Sequence, residues 1–189
     1  YGYGAAITQA AQYQSMDRLG LAQYLSRIGL LLDGNQGASL ARAKQHWLSS
    51  PEWQGLRREM ENLFVTKDWF EVFVAQDFVL DGLVYPLAFQ ALERELSAAT
   101  GNGFGMSVEF MREWHGENLR WVDACLKTAA EESPENAALL SGWGKDWVAR
   151  SKEALAPWAA VAFGAQGAAQ LDEAVSALRQ RAAKCQIAL

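Results

Sequence analysis

The stretch MREWHGENLRWVDACLKTAAEES, Met111 to Ser133, has the length and carboxylate content of a helix built to grip a metal. Paired irons in a four-helix bundle are held by glutamates and by a histidine placed three residues after a glutamate. The histidine here is in the wrong place. Only His46 and His115 occur in 189 residues, and the residues three before them are Ala43 and Arg112. His115 follows Glu113 by two positions and so points elsewhere on the helix, while His46 lies in a polar segment and is expected to be exposed. A bundle site takes about four carboxylates and two histidines, so no metal site is expected in this chain.

The same helix carries an apolar stripe of Phe110, Met111, Trp114, Trp121, Val122 and Cys125, with Glu117 and Asn118 inside it and Arg112, Arg120 and Lys127 on the other side. Polar groups in a buried stripe need partners, because an unsatisfied one costs ~1–3 kcal/mol. Two readings stay open, an active site or a hydrogen-bonded structural network.

Outward from this stretch the chain reads as all-α, since 3.6-residue periodicity covers most of it and no window alternates long enough for a half-buried strand. Helices are expected over Ala5 to Asp33, Ser39 to Ser49, Pro51 to about Leu63, Lys67 to Ser97, Phe104 to Glu132, Pro134 to about Phe163 and Ala168 to Cys185. Ser50-Pro51 and Ser133-Pro134 each read as an N-cap followed by proline at the first helical position. Thr66 is the expected cap of the Lys67 helix. That helix is apolar nearly all round, the mark of a central element, and Pro86 should kink it as Pro157 should bend the later one. Gly101-Asn102-Gly103 is a helix–helix turn, because no strand precedes it to make a phosphate loop. Helices near thirty residues point to a long-helix bundle, one domain over residues 1–189.

Composition narrows the function classes. Half the residues are apolar, 21% are charged and the net charge is −5, with a pI near 5.1. With no basic run longer than Arg57-Arg58, nucleic acid and anionic membrane are poor partners. Cys125 and Cys185 make neither a disulfide framework nor a zinc knuckle, which suits a reducing cytoplasm. No signal peptide and no run of ~18 apolar residues is seen, and the opening Tyr1 suggests a truncated or processed N-terminus. Asp17, Asp68, Asp77 and Asp81 read as scattered, with no pair assignable as acid and base. The eight tryptophans are the unusual feature. Beyond core packing, aromatic bulk of this kind is enriched where subunits meet, and Trp143, Trp147 and Trp158 are the candidate interface residues.

Specific runs resemble a family. Tyr1-Gly-Tyr-Gly through Met16-Asp-Arg-Leu-Gly20, Ala22-Gln-Tyr-Leu-Ser-Arg-Ile-Gly29, Phe64-Val-Thr-Lys-Asp-Trp-Phe-Glu71, Phe73-Val-Ala-Gln76 with Val79-Leu-Asp-Gly-Leu-Val-Tyr-Pro-Leu87, and Arg120-Trp-Val-Asp-Ala124 are similar to the β subunit of the hydroxylase component of bacterial multicomponent phenol hydroxylases. These belong to the soluble di-iron monooxygenases, and the chain resembles the C-terminal part of such a subunit. The resemblance implies a ferritin-like bundle. Against the Asp-Glu-x-Arg-His motif of the iron-bearing α subunits, Asn118 and Trp121 stand at the ligand Glu and His positions, and Arg18 and Leu21 do so in the earlier helix. If the register slips by one, Asp17 and Gly20 are the substituted pair, and the histidine is still absent.

The resemblance therefore implies a metal-free structural subunit. The di-iron centre would lie in a partner α subunit that hydroxylates phenol with O2. A small γ subunit and a second copy of the assembly would complete the complex, with an effector protein and a reductase passing electrons from NADH through FAD and an iron–sulfur cluster. The competing expectation, of a different class, is a free-standing helical binding module with an apolar pocket near Trp121 and Asn118.

Overall fold

The structure, a computed structural model, describes Gly2 and residues 4–189. Seven helices form among the described residues: α1 (Ala5–Leu32), α2 (Ala38–Ser49), α3 (Pro51–Val65), α4 (Trp69–Thr100), α5 (Gly103–Glu132), α6 (Pro134–Phe163) and α7 (Gly167–Lys184). No strand occurs among these residues, so the all-α long-helix bundle expected from periodicity is the architecture.

The Gly34 to Gly37 connection turns through left-handed conformations at Gly34, Asn35 and Gly37, and Gly101 does the same between α4 and α5. Helix starts follow local chemistry, with two departures from expectation. Ser133 Oγ accepts from the Asn136 amide and caps α6 as expected. Ser50 does not cap α3; its hydroxyl pairs with His46 Nδ1 at 3.0 Å instead. The cap of α4 is Asp68, which accepts from the Phe70 and Glu71 amides, while Thr66 Oγ1 donates back to the Asn62 carbonyl.

Helix α4 is the centre of the bundle. Val74, Phe78, Val79, Leu83 and Leu87 are fully or almost fully buried, and α5, α6 and α7 pack around them. It is the one helix long and apolar enough to cross a membrane among the described residues, but more than half of that window is buried inside the protein. It runs on past Pro86, which lies in an α-helical segment between two stretches, Val74–Leu80 and Leu87–Ala91, that widen into π turns. Outside this core, α3 lies on α6, so closely that a Cβ on Gly55 would come within 2.7 Å of the Ala154 carbonyl.

Candidate functional site

The polar centre of the molecule is a clamp between α1 and α4. Gln14, Arg18 and Leu21 share one face of α1 by helical spacing, and Asp77 and Asp81 share one face of α4. Arg18 Nη2 donates to Asp77 Oδ1 at 2.7 Å and to Asp81 Oδ2 at 2.6 Å, and its Nη1 donates to Asp81 Oδ1 at 3.0 Å. Gln76 Nε2 also donates to Asp81 Oδ1. Sequence spacing could not reveal this cluster, because Arg18 lies some sixty residues from its partners.

One guanidinium faces two buried carboxylates, and protonation follows from that imbalance. Burial, then repulsion from Asp81, pushes the Asp77 carboxyl up to about 7, with Arg18 opposing. Burial also raises Asp81. For Arg18, burial disfavours the charge, but Asp81 and Asp77 outweigh it and keep the guanidinium protonated. Tyr85, one turn beyond Asp81, is raised by burial and by the Asp81 charge. Its ring stacks on His115 at 4.6 Å and 8°. His115 is buried, its Nδ1 has no partner, and burial followed by Arg181 and Arg18 pushes it down to about 4. The spacing Met111 to His115, one turn along the buried face, was the available signal for this histidine.

The ligand-frame residues of α5 close on one another. Trp121 Nε1 donates to Asn118 Oδ1 at 2.8 Å, Asn118 Nδ2 donates to the Trp114 carbonyl at 3.1 Å, and the Trp121 ring packs on Phe73 at 5.3 Å. Of the two open readings, the hydrogen-bonded network is the one this geometry matches. Leu21 packs with Tyr85, Val108 and Met111. Glu117 was expected inside the stripe, but its side chain is 74% exposed beside Arg120. Arg112 is not a free outer residue either, since it pairs with the nearly buried Glu93 of α4 at 3.1 Å. Asp17 accepts from Trp114 Nε1 at 3.0 Å, tying α1 to α5.

These residues do not fit an iron pair. Asp77 and Asp81 are already bound to the Arg18 guanidinium, Asn118 and Trp121 use their polar atoms on each other, and among the described residues no three His, Cys, Asp or Glu side chains come together as a ligand group.

Comparison with known proteins places the chain. The model of the methane/phenol/alkene hydroxylases matches residues 1–133. The chain belongs to that hydroxylase family. It is 49% identical over 180 residues to the phenol 2-monooxygenase oxygenase component DmpL of Pseudomonas sp. (strain CF600), covering 95% of this chain and 54% of that protein. It is 44% identical to the corresponding component MhpL of Acinetobacter pittii, and covers 53% of it. The crystal structure of xenon-pressurized phenol hydroxylase from Pseudomonas sp. OX1 superimposes with a TM-score of 0.90 at 38% identity, covering 96% of this chain and 54% of that one. The chain thus spans about half the length of the relatives it matches.

In this hydroxylase chain the candidate interface tryptophans fall into three environments. Trp147 is 0% exposed, donates to Glu71 Oε1 at 3.0 Å and carries the Arg150 guanidinium 4.0 Å above its ring. It is a core residue, which corrects the interface expectation for it: its i+4 partner Trp143 is only partly buried, whereas Trp147 is sealed inside. Trp158 is partly buried against Trp53 and Phe163. Trp143 is also partly buried and lines a cavity at one end of the bundle. The exposed apolar side chains lie mainly elsewhere. On α1, Tyr13, Met16, Leu19, Leu31 and Leu32 are between 59% and 82% exposed, and Phe64 at the end of α3 is 90% exposed.

Proposed function

We propose that this chain is a non-catalytic structural part of the β subunit of an NADH-dependent multicomponent phenol or aromatic monooxygenase. It supports a di-iron α subunit that hydroxylates phenol with O2 and itself holds no metal. The observation that carries the reading is the state of the two ligand frames: Arg18 is locked between Asp77 and Asp81, and Trp121 is paired with Asn118. Metal binding requires free deprotonated donors, and these positions offer a cation, an amide and an indole. The similarity to oxygenase components named for phenol supports the substrate class.

The role of such a chain is to bury partner surface. The outward apolar residues of α1 support assembly over the free-standing module, because exposed apolar patches of this kind mark interaction sites. The assembly comprises α, the small γ subunit and a second copy of the same set in the cytoplasm, served by an effector protein and a reductase carrying FAD and an iron–sulfur cluster. Nucleic acid and membrane have no part in it, and residues 1–189 act as one ferritin-like unit. Co-expression with the neighbouring oxygenase subunits, separation of the chains and iron analysis of each tests this. Iron is expected with α alone. About two irons bound per copy of this chain would overturn it.

A further inference from the structure

At the end of the bundle where α4 begins, α5 ends and α6 begins, a cavity of about 330 Å³ is walled by Trp69, Phe70 and Trp143 and edged by Asp68 and Glu132. Trp69 and Phe70 meet edge-to-face at 5.1 Å, so their ring positions fix one another. Neither carboxylate has a basic partner among the described ion pairs. Asp68 spends one oxygen on the first amides of α4, and Glu132 accepts from Asn136 Nδ2 at 3.3 Å.

The helix ends sharpen the charge. The thirty-residue helix α5 closes here with Glu131 and Glu132 in its last turn and no basic residue there. Carboxylates at the negative end of a helix are unfavourable, and a cation placed there is favourable. Asn136 satisfies one of the free carbonyls, that of Ala129, at 3.2 Å. The two helix N-termini beside the cavity offer nothing to an anion, because Asp68 caps α4 and Ser133 caps α6. Aromatic walls with unpaired carboxylates at the rim form a receptor for an organic cation. A guanidinium suits it better than an ammonium, since it stacks flat on indole and pairs with carboxylate through a planar fork.

We propose that this notch receives an arginine side chain from the partner α subunit, with Trp143 and Glu132 as its principal contacts; the proposal rests on the subunit reading above. Within the assembled complex, Glu132→Gln and Trp143→Leu should each weaken association about tenfold or more, as expected for contacts to a buried arginine anchor. Glu109→Gln, on the same helix but about 35 Å away by helical rise, should leave association unchanged. Glu132 is a surface residue, so its variant tests the notch even if Trp143→Leu fails to fold. A second arm titrates the chain with N-acetyl-arginine methylamide, its lysine analogue and its citrulline analogue, following tryptophan fluorescence. The arginine compound should bind, the citrulline compound about tenfold more weakly, and Glu132→Gln should abolish the difference.

If the parent assembles and both variants assemble equally well, the notch proposal is wrong and the subunit reading stands. If the parent does not assemble with the oxygenase subunits, the subunit reading fails, and the arginine in the partner fails with it. Equal response to arginine and citrulline would overturn the cation assignment, and equal response to arginine and lysine would overturn the guanidinium.

Discussion

Replacing Arg18 by methionine keeps much of the side chain's length and removes its charge, leaving Asp77 and Asp81 facing each other without a counter-ion. Removing one partner of a buried ion pair costs ~3–5 kcal/mol because the other charge stays buried. Asp81 is 4% exposed, whereas the Arg18 side chain is 30% exposed, so the lower end, about 3 kcal/mol, is expected at pH 8. For a chain of this size that is a fall of roughly 6–12 °C in Tm. The penalty should shrink at pH 5. Burial raises both carboxyls even with Arg18 present, and without it they rise further. A carboxyl whose folded pKa exceeds its unfolded one costs stability above the folded pKa, and the cost is relieved as pH falls through it. Denaturant titrations of parent and Arg18→Met at pH 8 and pH 5 measure both quantities. A loss under ~1 kcal/mol at pH 8, or a larger loss at pH 5 than at pH 8, would refute the reasoning.

Other outcomes follow from single contacts. In the parent, Asp77 at about 7 should make stability rise as pH falls from 8 towards 6.5. His115, held neutral to about 4, opposes it below 6.5 because only the unfolded chain takes the proton. His115→Phe should therefore let stability go on rising below pH 6.5 in the same titrations. Trp147→Ala should cost ~3–5 kcal/mol by cavity formation plus the lost bond to Glu71, read as a lowered denaturation midpoint. Gly55→Val should destabilise by several kcal/mol, beyond the ~1–3 of ordinary overpacking, since the new Cβ meets backbone rather than a flexible side chain; calorimetry checks this.

The helices were legible because each rests on local signals: apolar spacing, proline at a first turn, glycine where the chain reverses. The charge clamp was not, because nothing near Arg18 in sequence announces Asp77 and Asp81, and acidic residues on an apolar helix look alike until a partner helix is docked. The tryptophans show a subtler limit. Trp143 and Trp147 are one turn apart and read as one stripe, yet that stripe straddles the edge between surface and core, and only packing tells which ring is inside. The apolar face of α1 was equally hidden, since Tyr13, Met16 and Leu31 look like core residues until Arg18 shows which side of the helix faces inward.

That inversion gives the clamp a purpose beyond stability. Helix α1 buries only Gln14 and Leu21, too little apolar surface to fix its rotation. A slip of one residue would turn Arg18 by about 100° and strand two buried carboxylates, so the ion pair sets the register of α1 and with it which apolar residues face outward. Buried polar groups are best attested in this registry role, and replacing a buried ionic cluster by apolar residues is often neutral or stabilising by ~1–4 kcal/mol. The triple variant Arg18→Met, Asp77→Leu, Asp81→Leu should thus be at least as stable as the parent, in contrast to Arg18→Met alone. It should nevertheless assemble more weakly with the oxygenase subunits, because Tyr13, Met16 and Leu31 no longer hold one position. Measuring denaturation and assembly on both variants separates the roles: a triple variant as unstable as the single one contradicts the ionic account of the clamp, and one that assembles as tightly as the parent contradicts the registry role.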